Sequence, residues 1–138
     1  RIMFFKKKDQ NSNNDLIKVA ALLIHAAKID ENFSKKEEEI INLALLKLGA
    51  DKQDIENIIK DAKVIEENTN QILEFTKEVK NMEEKKKIEI VETLWKIIYS
   101  NNDADIYETN LMRRLGGLMY IDNKIMGDIK EKIKTKNQ

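Results

Sequence analysis

The stretch AAKIDENFSKKE (26–37) contains a set of oxygen-bearing side chains whose types and spacing could hold a cation: Asp30, Asn32, Ser34 and Glu37. Carboxylate, amide and hydroxyl oxygens are the ligands that hard divalent cations prefer, so this spacing allows a calcium or magnesium site. The same stretch has a structural interpretation, because a serine followed three residues later by glutamate forms a capping box at a helix start. A cation site and a helix N-terminus are therefore both predicted here.

Asp30 is the residue that capping does not explain. It follows the apolar run DLIKVAALLIHAAKI (15–29), and a carboxylate at a helix C-terminus is unfavourable by about 0.3–1 kcal/mol. A cation, the N–H groups of residues 32–34, or the ammonium of Lys28 or Lys35 would each compensate, and all stay open. An EF-hand is excluded, because Lys35 stands where that loop needs glycine and Ile41 where it needs glutamate.

A second set of oxygen ligands occurs in the same order 71 residues later: Asn101, Asp103, Asp105 and Glu108. The same shift superimposes Leu23 on Leu94, and the order of apolar helix, acidic junction and amphipathic helix is repeated. This pattern predicts an internal pseudo-two-fold repeat at an offset of 71 residues. Asn101 replaces Asp30, so the second junction has a neutral group where the first has a carboxylate.

The elements that must position these junctions are predicted to be about seven helices and no sheet. The chain of 138 residues has no proline, no cysteine and only four glycines, and Lys, Glu, Ile and Leu favour helices. Residues 16–29 and 86–99 are apolar on almost every side, so we expect them to be the two buried central helices. Gly49 is the predicted end of the second helix, and Asp51 the predicted cap of the third.

Residues 1–14 are polar and are predicted to be an irregular or disordered tail, with residues 15–138 as one helical domain. The formal net charge is zero, from 25 basic and 25 acidic residues, which argues against general nucleic-acid binding. The stretch MFFKKK favours at most weak peripheral contact with a membrane. The longest apolar run, residues 19–27, is too short to cross a bilayer, and we expect a cytoplasmic protein with a protein partner.

The other residues with chemical potential have structural interpretations. His25 is the only histidine and lies within an apolar helix, so we expect a packed, hydrogen-bonded side chain. Trp95 and Tyr99 are predicted to be core residues whose polar tips need partners. Arg113 and Arg114 are predicted to pair with acidic neighbours, with anion binding as the alternative.

The two junctions resemble those of the TerB family, the tellurite-resistance protein B family. That family has a motif of the form A-x-x-D-G-x-[FI]-[SD]-x-x-E, which this chain matches in AAKIDENFSKKE except that Glu31 replaces the glycine. Its second motif resembles LWKIIYSNNDADIYE (94–108), although Asn101 and Asn102 replace the aspartate and the glycine. The resemblance covers residues 15 to 130.

The resemblance implies an all-helical fold of about seven helices and acidic clusters that bind a divalent metal. It also implies a role in chemical stress, tellurite resistance and phage defence, and a similar domain occurs in a membrane-anchored DnaJ-like co-chaperone. We therefore expect a non-enzymatic, stress-associated domain that binds calcium or magnesium at its junctions. The alternative is a protein-interaction or co-chaperone-type module with no metal. A metal-dependent hydrolase ranks third, because one histidine is poor provision for such a site.

Overall fold

The apolar stretch before Asp30 forms the centre of the molecule. The computed structural model describes residues 2–28, 34–69, 72–100 and 106–136, with side chains from Asn14 onward apart from those of 106–109 and 136. These residues form seven α-helices and no strand: α1 (Ile2–Ala27), α2 (Lys35–Lys47), α3 (Ile55–Asn68), α4 (Leu73–Lys80), α5 (Glu84–Tyr99), α6 (Ile106–Leu118) and α7 (Asn123–Lys136). No helix in these ranges combines the length and apolar character that a membrane span requires.

The second half of α1 is buried on all sides. Every residue from Val19 to Ile24 is at most 1% exposed, and α2, α3, α4 and α5 all contact this helix. In α5, Ile90, Val91 and Leu94 have no exposed area, and α5 contacts α1, α2 and α7. This burial confirms the prediction of two central helices. A helix segment without a polar face is stable in water only when its neighbours cover it.

The first helix begins earlier than predicted. Residues 2–14 were expected to be irregular, whereas α1 runs without interruption from Ile2 to Ala27. The segment contains neither proline nor glycine, so nothing in it breaks a helix that continues toward the N-terminus from the buried half. The division of the chain into a tail of residues 1–14 and a domain of residues 15–138 stays a prediction.

The third helix begins later than predicted. Asp51 was expected to cap it, but α3 starts after Asp54, whose side chain makes no capping hydrogen bond. Residues 51–54 instead form a turn, in which the N–H of Asp54 donates to the carbonyl oxygen of Asp51 at 2.9 Å. Asp122 does act at the start of α7, where its Oδ1 accepts from the N–H of Lys124 at 2.9 Å.

Helices α2 and α6 end in the same backbone motif. Gly49 has a φ of 107° and follows α2, where the N–H of Ala50 donates to the carbonyl oxygen of Leu45 at 2.9 Å. Tyr120 has a φ of 58° and follows α6, where the N–H of Ile121 donates to the carbonyl oxygen of Gly116 at 2.9 Å. Both ends are Schellman motifs, and the role predicted for Gly49 is confirmed.

These two ends lie 71 positions apart, and so do both bounds of α2 and α6. The contact between α1 and α3 also has a counterpart in the contact between α5 and α7. These local correspondences support the pseudo-two-fold repeat. The repeat itself stays a prediction, since its test is the superposition of the two halves.

Replacing glycine by alanine should change stability in opposite directions at two positions. Gly49→Ala should lower the free energy of unfolding by about 1 kcal/mol or more, because a φ of 107° strains any residue with a Cβ. Gly127→Ala should raise it by about 0.4–1 kcal/mol, because a Cβ there meets nothing within 4 Å and alanine favours the helix. Urea denaturation of the two variants and the parent measures both effects. Changes of the same sign would contradict this account of the helix ends.

Candidate functional site

Ser34 and Glu37 form the capping box that their spacing predicts. Ser34 is the residue before α2, and its Oγ accepts a hydrogen bond from the N–H of Glu37 at 3.2 Å. In return, Glu37 Oε1 accepts from the N–H and from the hydroxyl of Ser34, both at 2.9 Å. This reciprocal pair satisfies backbone donors that a helix start otherwise leaves unpaired.

Glu37 is unusually buried for a capping residue, with 1% of its surface exposed. The two donors of Ser34 and the positive end of the α2 dipole compensate the burial of its charge. Because Ser34 directly follows residues 29–33, the carboxylate is held at the edge of the first junction. Of the four predicted ligands, Asp30 and Asn32 lie outside the described residues.

The second junction is described only by the backbone of α6. Asn101, Asp103 and Asp105 lie outside the described residues, and the side chain of Glu108 does as well. Glu108 is the third residue of α6, as Glu37 is the third residue of α2, because α6 begins at Ile106 and α2 at Lys35. Within the part of the chain that the structure covers, no three acidic or histidine side chains come together as a metal site.

His25 contacts an acid that the sequence analysis did not single out. Its Nδ1 lies 3.2 Å from Oε2 of Glu66, and the ammonium of Lys28 donates to Oε1 of the same carboxylate at 2.7 Å. The expected hydrogen bond of His25 is confirmed, but the expected packing is not, because 39% of the side chain is exposed. His25 lies in the last turn of α1 and Lys28 just after it, while Glu66 lies near the end of α3. The contact therefore joins the end of the central helix to the end of α3.

The charges of this contact are reflected in two pKa shifts. Burial of the Glu66 carboxyl favours its neutral form, but the hydrogen bonds from Lys28 and His25 outweigh burial and lower its pKa below 4.5. The hydrogen bond with Glu66 raises the pKa of Lys28 above 10.5. The ion pair between Lys28 and Glu66 is therefore fully charged at neutral pH.

A second ionic contact ties α1 to α4. The ammonium of Lys18 lies 3.0 Å from Oε1 of Glu78, and this hydrogen bond lowers the pKa of the Glu78 carboxyl. Burial and a hydrogen bond with Glu78 raise the pKa of Asp15. Glu66 and Glu78 thus fix α1 against two different neighbours.

Trp95 and Tyr99 are core residues, as predicted, with 3% and 7% of their surfaces exposed. Their rings stack with centroids 5.8 Å apart and planes at 26°. The Trp95 Nε1 is buried and donates no hydrogen bond to any of the described residues, so the partner expected for it is not found among them. Arg113 and Arg114 are exposed, and no carboxylate among the described residues pairs with either. The side chains of Asp105 and Glu108 lie outside the described residues, so the pairing of the two arginines with acidic neighbours stays a prediction.

An open groove of about 810 Å³ runs between α2 and α3. Leu46 is 40% exposed and Val64 54% exposed on its two walls, with Ile55 and Ile59 also lining it. The side-chain oxygen of Asn42 borders the groove, is buried and accepts no hydrogen bond. Sequence periodicity did not predict this groove, because it depends on how far apart the two helices pack.

Removing the Glu66 charge should weaken the fold at neutral pH but not in acid. Glu66→Gln should lower the free energy of unfolding by about 1 kcal/mol at pH 7. Since the folded pKa is depressed, the stabilisation is present above pH 4.5 and is lost as the pH falls through the folded pKa. The difference between parent and variant should therefore shrink between pH 5 and pH 3, as followed by chemical denaturation.

The matched control is Glu56→Gln, an exposed glutamate on the same helix, which should show no such pH dependence. A difference between parent and Glu66→Gln that stays constant down to pH 3 would contradict the ionic role of Glu66.

One of the comparisons with known proteins gives a match. A family model described as "Tellurite resistance protein TerB" matches residues 16–131, from the buried half of α1 into α7. No curated protein and no solved structure gives a significant match. Because the family model covers most of the chain, including both acidic junctions, the chain belongs to the TerB family of tellurite-resistance proteins.

Proposed function

We propose that this TerB-family domain is a non-enzymatic, stress-associated protein that binds a divalent cation at the junction between α1 and α2. Asp30, Asn32, Ser34 and Glu37 are the ligands of this first site. All four offer oxygen, which favours calcium or magnesium over zinc or copper. The family's name supports the link to chemical stress, and the chemistry of the junction supports the cation.

The observation that carries this proposal is the burial of Glu37. Its carboxylate is 1% exposed, and both hydrogen bonds from Ser34 fall on the same oxygen, Oε1. A carboxylate has two oxygens with two lone pairs each, so capping through Oε1 is compatible with a cation on Oε2. The capping box then becomes the device that orients a ligand, because it fixes the Glu37 side chain beside the stretch that contains Asp30.

The second junction supplies a weaker site. Asn101, Asp103, Asp105 and Glu108 repeat the first ligand set, but Asn101 is neutral where Asp30 is charged. The second set has three carboxylates and the first has two, so the ranking depends on position and not on total charge: only the first junction has a carboxylate at the position of Asp30. We therefore assign the first junction as the principal site.

The contact of His25 has a structural explanation that needs no enzymatic role. Its Nδ1 lies against Glu66 in a contact that joins α1 to α3. The ammonium of Lys28 forms an ion pair with the same carboxylate, so Glu66 stabilises the packing of α1 against α3.

Glu37→Gln tests the cation site against capping alone. With a dissociation constant of about 100 μM, about 10 mM calcium or magnesium stabilises the parent by about 2.7 kcal/mol. That corresponds to a rise of about 5–10 °C in melting temperature for a domain of this size. Glu37→Gln and Asp30→Asn should each remove most of the rise, although glutamine still completes the capping box. Melting curves in EDTA, calcium and magnesium measure the effect.

Glu39→Gln is the matched control, because it removes the same charge from an exposed position on the same helix and should keep the rise. Glu108→Gln should reduce the rise less than Glu37→Gln, and Asn101→Asp should increase it. Identical melting temperatures of the parent in EDTA, calcium and magnesium would refute the cation site.

The α2–α3 groove favours a second candidate function, a protein-interaction module that needs no metal. The groove would take an amphipathic helix of a partner protein, with its apolar side chains against Leu46 and Val64. The unpaired oxygen of Asn42 would accept a hydrogen bond from a donor on that helix. Exposed apolar side chains on both walls are the observation behind this candidate.

Charged substitutions in the groove separate this candidate from the first. Leu46→Asp and Val64→Asp should abolish cross-linking to a partner in cells and change the melting temperature little, because both side chains are largely exposed. Leu43→Asp is the matched control, since Leu43 is 60% exposed on α2 but does not line the groove. Equal loss of cross-linking in Leu43→Asp and Leu46→Asp would contradict a role for the groove.

A further inference from the structure

A second cavity, of about 340 Å³, lies between α5, α6 and α7. The residues that line it are Trp95, Met112, Arg113, Asn123, Met126, Gly127 and Lys130. We refer to it as the α5–α7 cavity. Its residues belong to neither junction and to neither wall of the α2–α3 groove.

The first unusual feature of the α5–α7 cavity is an unpaired donor. Trp95 is 3% exposed, and its Nε1 is buried with no hydrogen-bond acceptor. A buried indole N–H usually donates a hydrogen bond, because a buried donor without an acceptor is unfavourable. Among the described residues nothing accepts from this N–H, although the amide oxygen of Asn123 belongs to the same cavity lining.

The second feature is the sign of the charges. Arg113 and Lys130 both line the cavity, and no acidic side chain that the structure describes does so. Neither cation forms an ion pair with a carboxylate in the described part of the chain. The Lys130 ammonium instead lies 5.5 Å from the centre of the Trp95 ring. In a chain of zero net charge, this is a local excess of positive charge rather than a general one.

The third feature is the mixture of surfaces. Trp95, Met112 and Met126 supply an aromatic ring and two thioether side chains, and the cations and Asn123 supply polar groups. Most ligand sites are apolar with a few polar groups that fix orientation. A volume of about 340 Å³ also exceeds what a bare inorganic oxyanion would fill.

We infer that the α5–α7 cavity binds a small organic carboxylate with an apolar body. The carboxylate accepts from the Trp95 N–H and is neutralised by Arg113 and Lys130, while the apolar body packs on Met112 and Met126. Nε1 is closed off from water in the free protein. Binding therefore includes a rearrangement of the long, flexible side chains of Arg113 and Lys130 around the carboxylate.

The chain offers a direct probe of this site, because Trp95 is its only tryptophan. A nitrogen-15 correlation spectrum of the full chain contains a single indole N–H signal, and a new acceptor moves that signal downfield. Benzoate is the first probe, as a carboxylate with an aromatic body. We expect a saturable shift with benzoate, and at least a tenfold weaker effect with benzamide, its neutral analogue, and with inorganic phosphate.

Matched variants separate the cavity from general surface charge. Arg113→Gln should weaken benzoate binding at least fivefold, because it removes a charged donor from the cavity lining. Arg114→Gln removes the same charge from the next residue, which is exposed and does not line the cavity, and should change binding less than twofold. Gly127→Leu should block binding with no change of charge, since the space beyond Gly127 is open.

Equal binding of benzoate and benzamide would overturn the carboxylate assignment, because apolar contact alone would then explain the shift. Equal effects of Arg113→Gln and Arg114→Gln would overturn the cavity as the site. If Gly127→Leu does not fold, the two arginine variants still decide the question. These outcomes are independent of the cation site, since the titrations are done in EDTA.

Discussion

The fold depends on the burial of α1 between Val19 and Ile24, where no residue is more than 1% exposed. A helix with no wet face has to be covered on every side, and this requirement brings α2, α3, α4 and α5 around it. Hydrophobic burial is not directional, so it does not by itself fix the rotation or depth of each neighbour. The polar contacts near the end of α1 add that information, because a carboxylate such as Glu66 can meet His25 and Lys28 in only one arrangement.

The sequence predicted those parts of the fold that local patterns encode. The two central helices follow from runs of apolar residues, and the start of α2 follows from the Ser34 and Glu37 spacing. The starts of α1 and α3 were not predicted, because a polar segment can continue a helix that packing has already formed, and because Asp51 and Asp54 are equally good caps by type.

The candidate sites divide in the same way. The capping box was predicted in full, since both partners lie within four residues. The Glu66 contact was not, because its partners lie 38 and 41 residues away and nothing local marks them. The lack of a partner for Trp95 Nε1 and for Arg113 among the described residues was also out of reach, since whether a side chain finds a partner depends on the packing of α5, α6 and α7.

The Schellman motifs at Gly49 and Tyr120 bear on how common ancestry of two chain segments is inferred from their sequences. Both motifs consist of backbone hydrogen bonds, so the same helix end survives the exchange of glycine for a bulky aromatic residue. A lineage that tolerates about 1 kcal/mol of local strain can lose the glycine and keep the turn, because selection removes only variants below a stability threshold. Letter-by-letter comparison then records a mismatch where the main chain has kept an identical arrangement. Common ancestry of two such segments is therefore better judged from their patterns of backbone hydrogen bonds than from the identities of their residues.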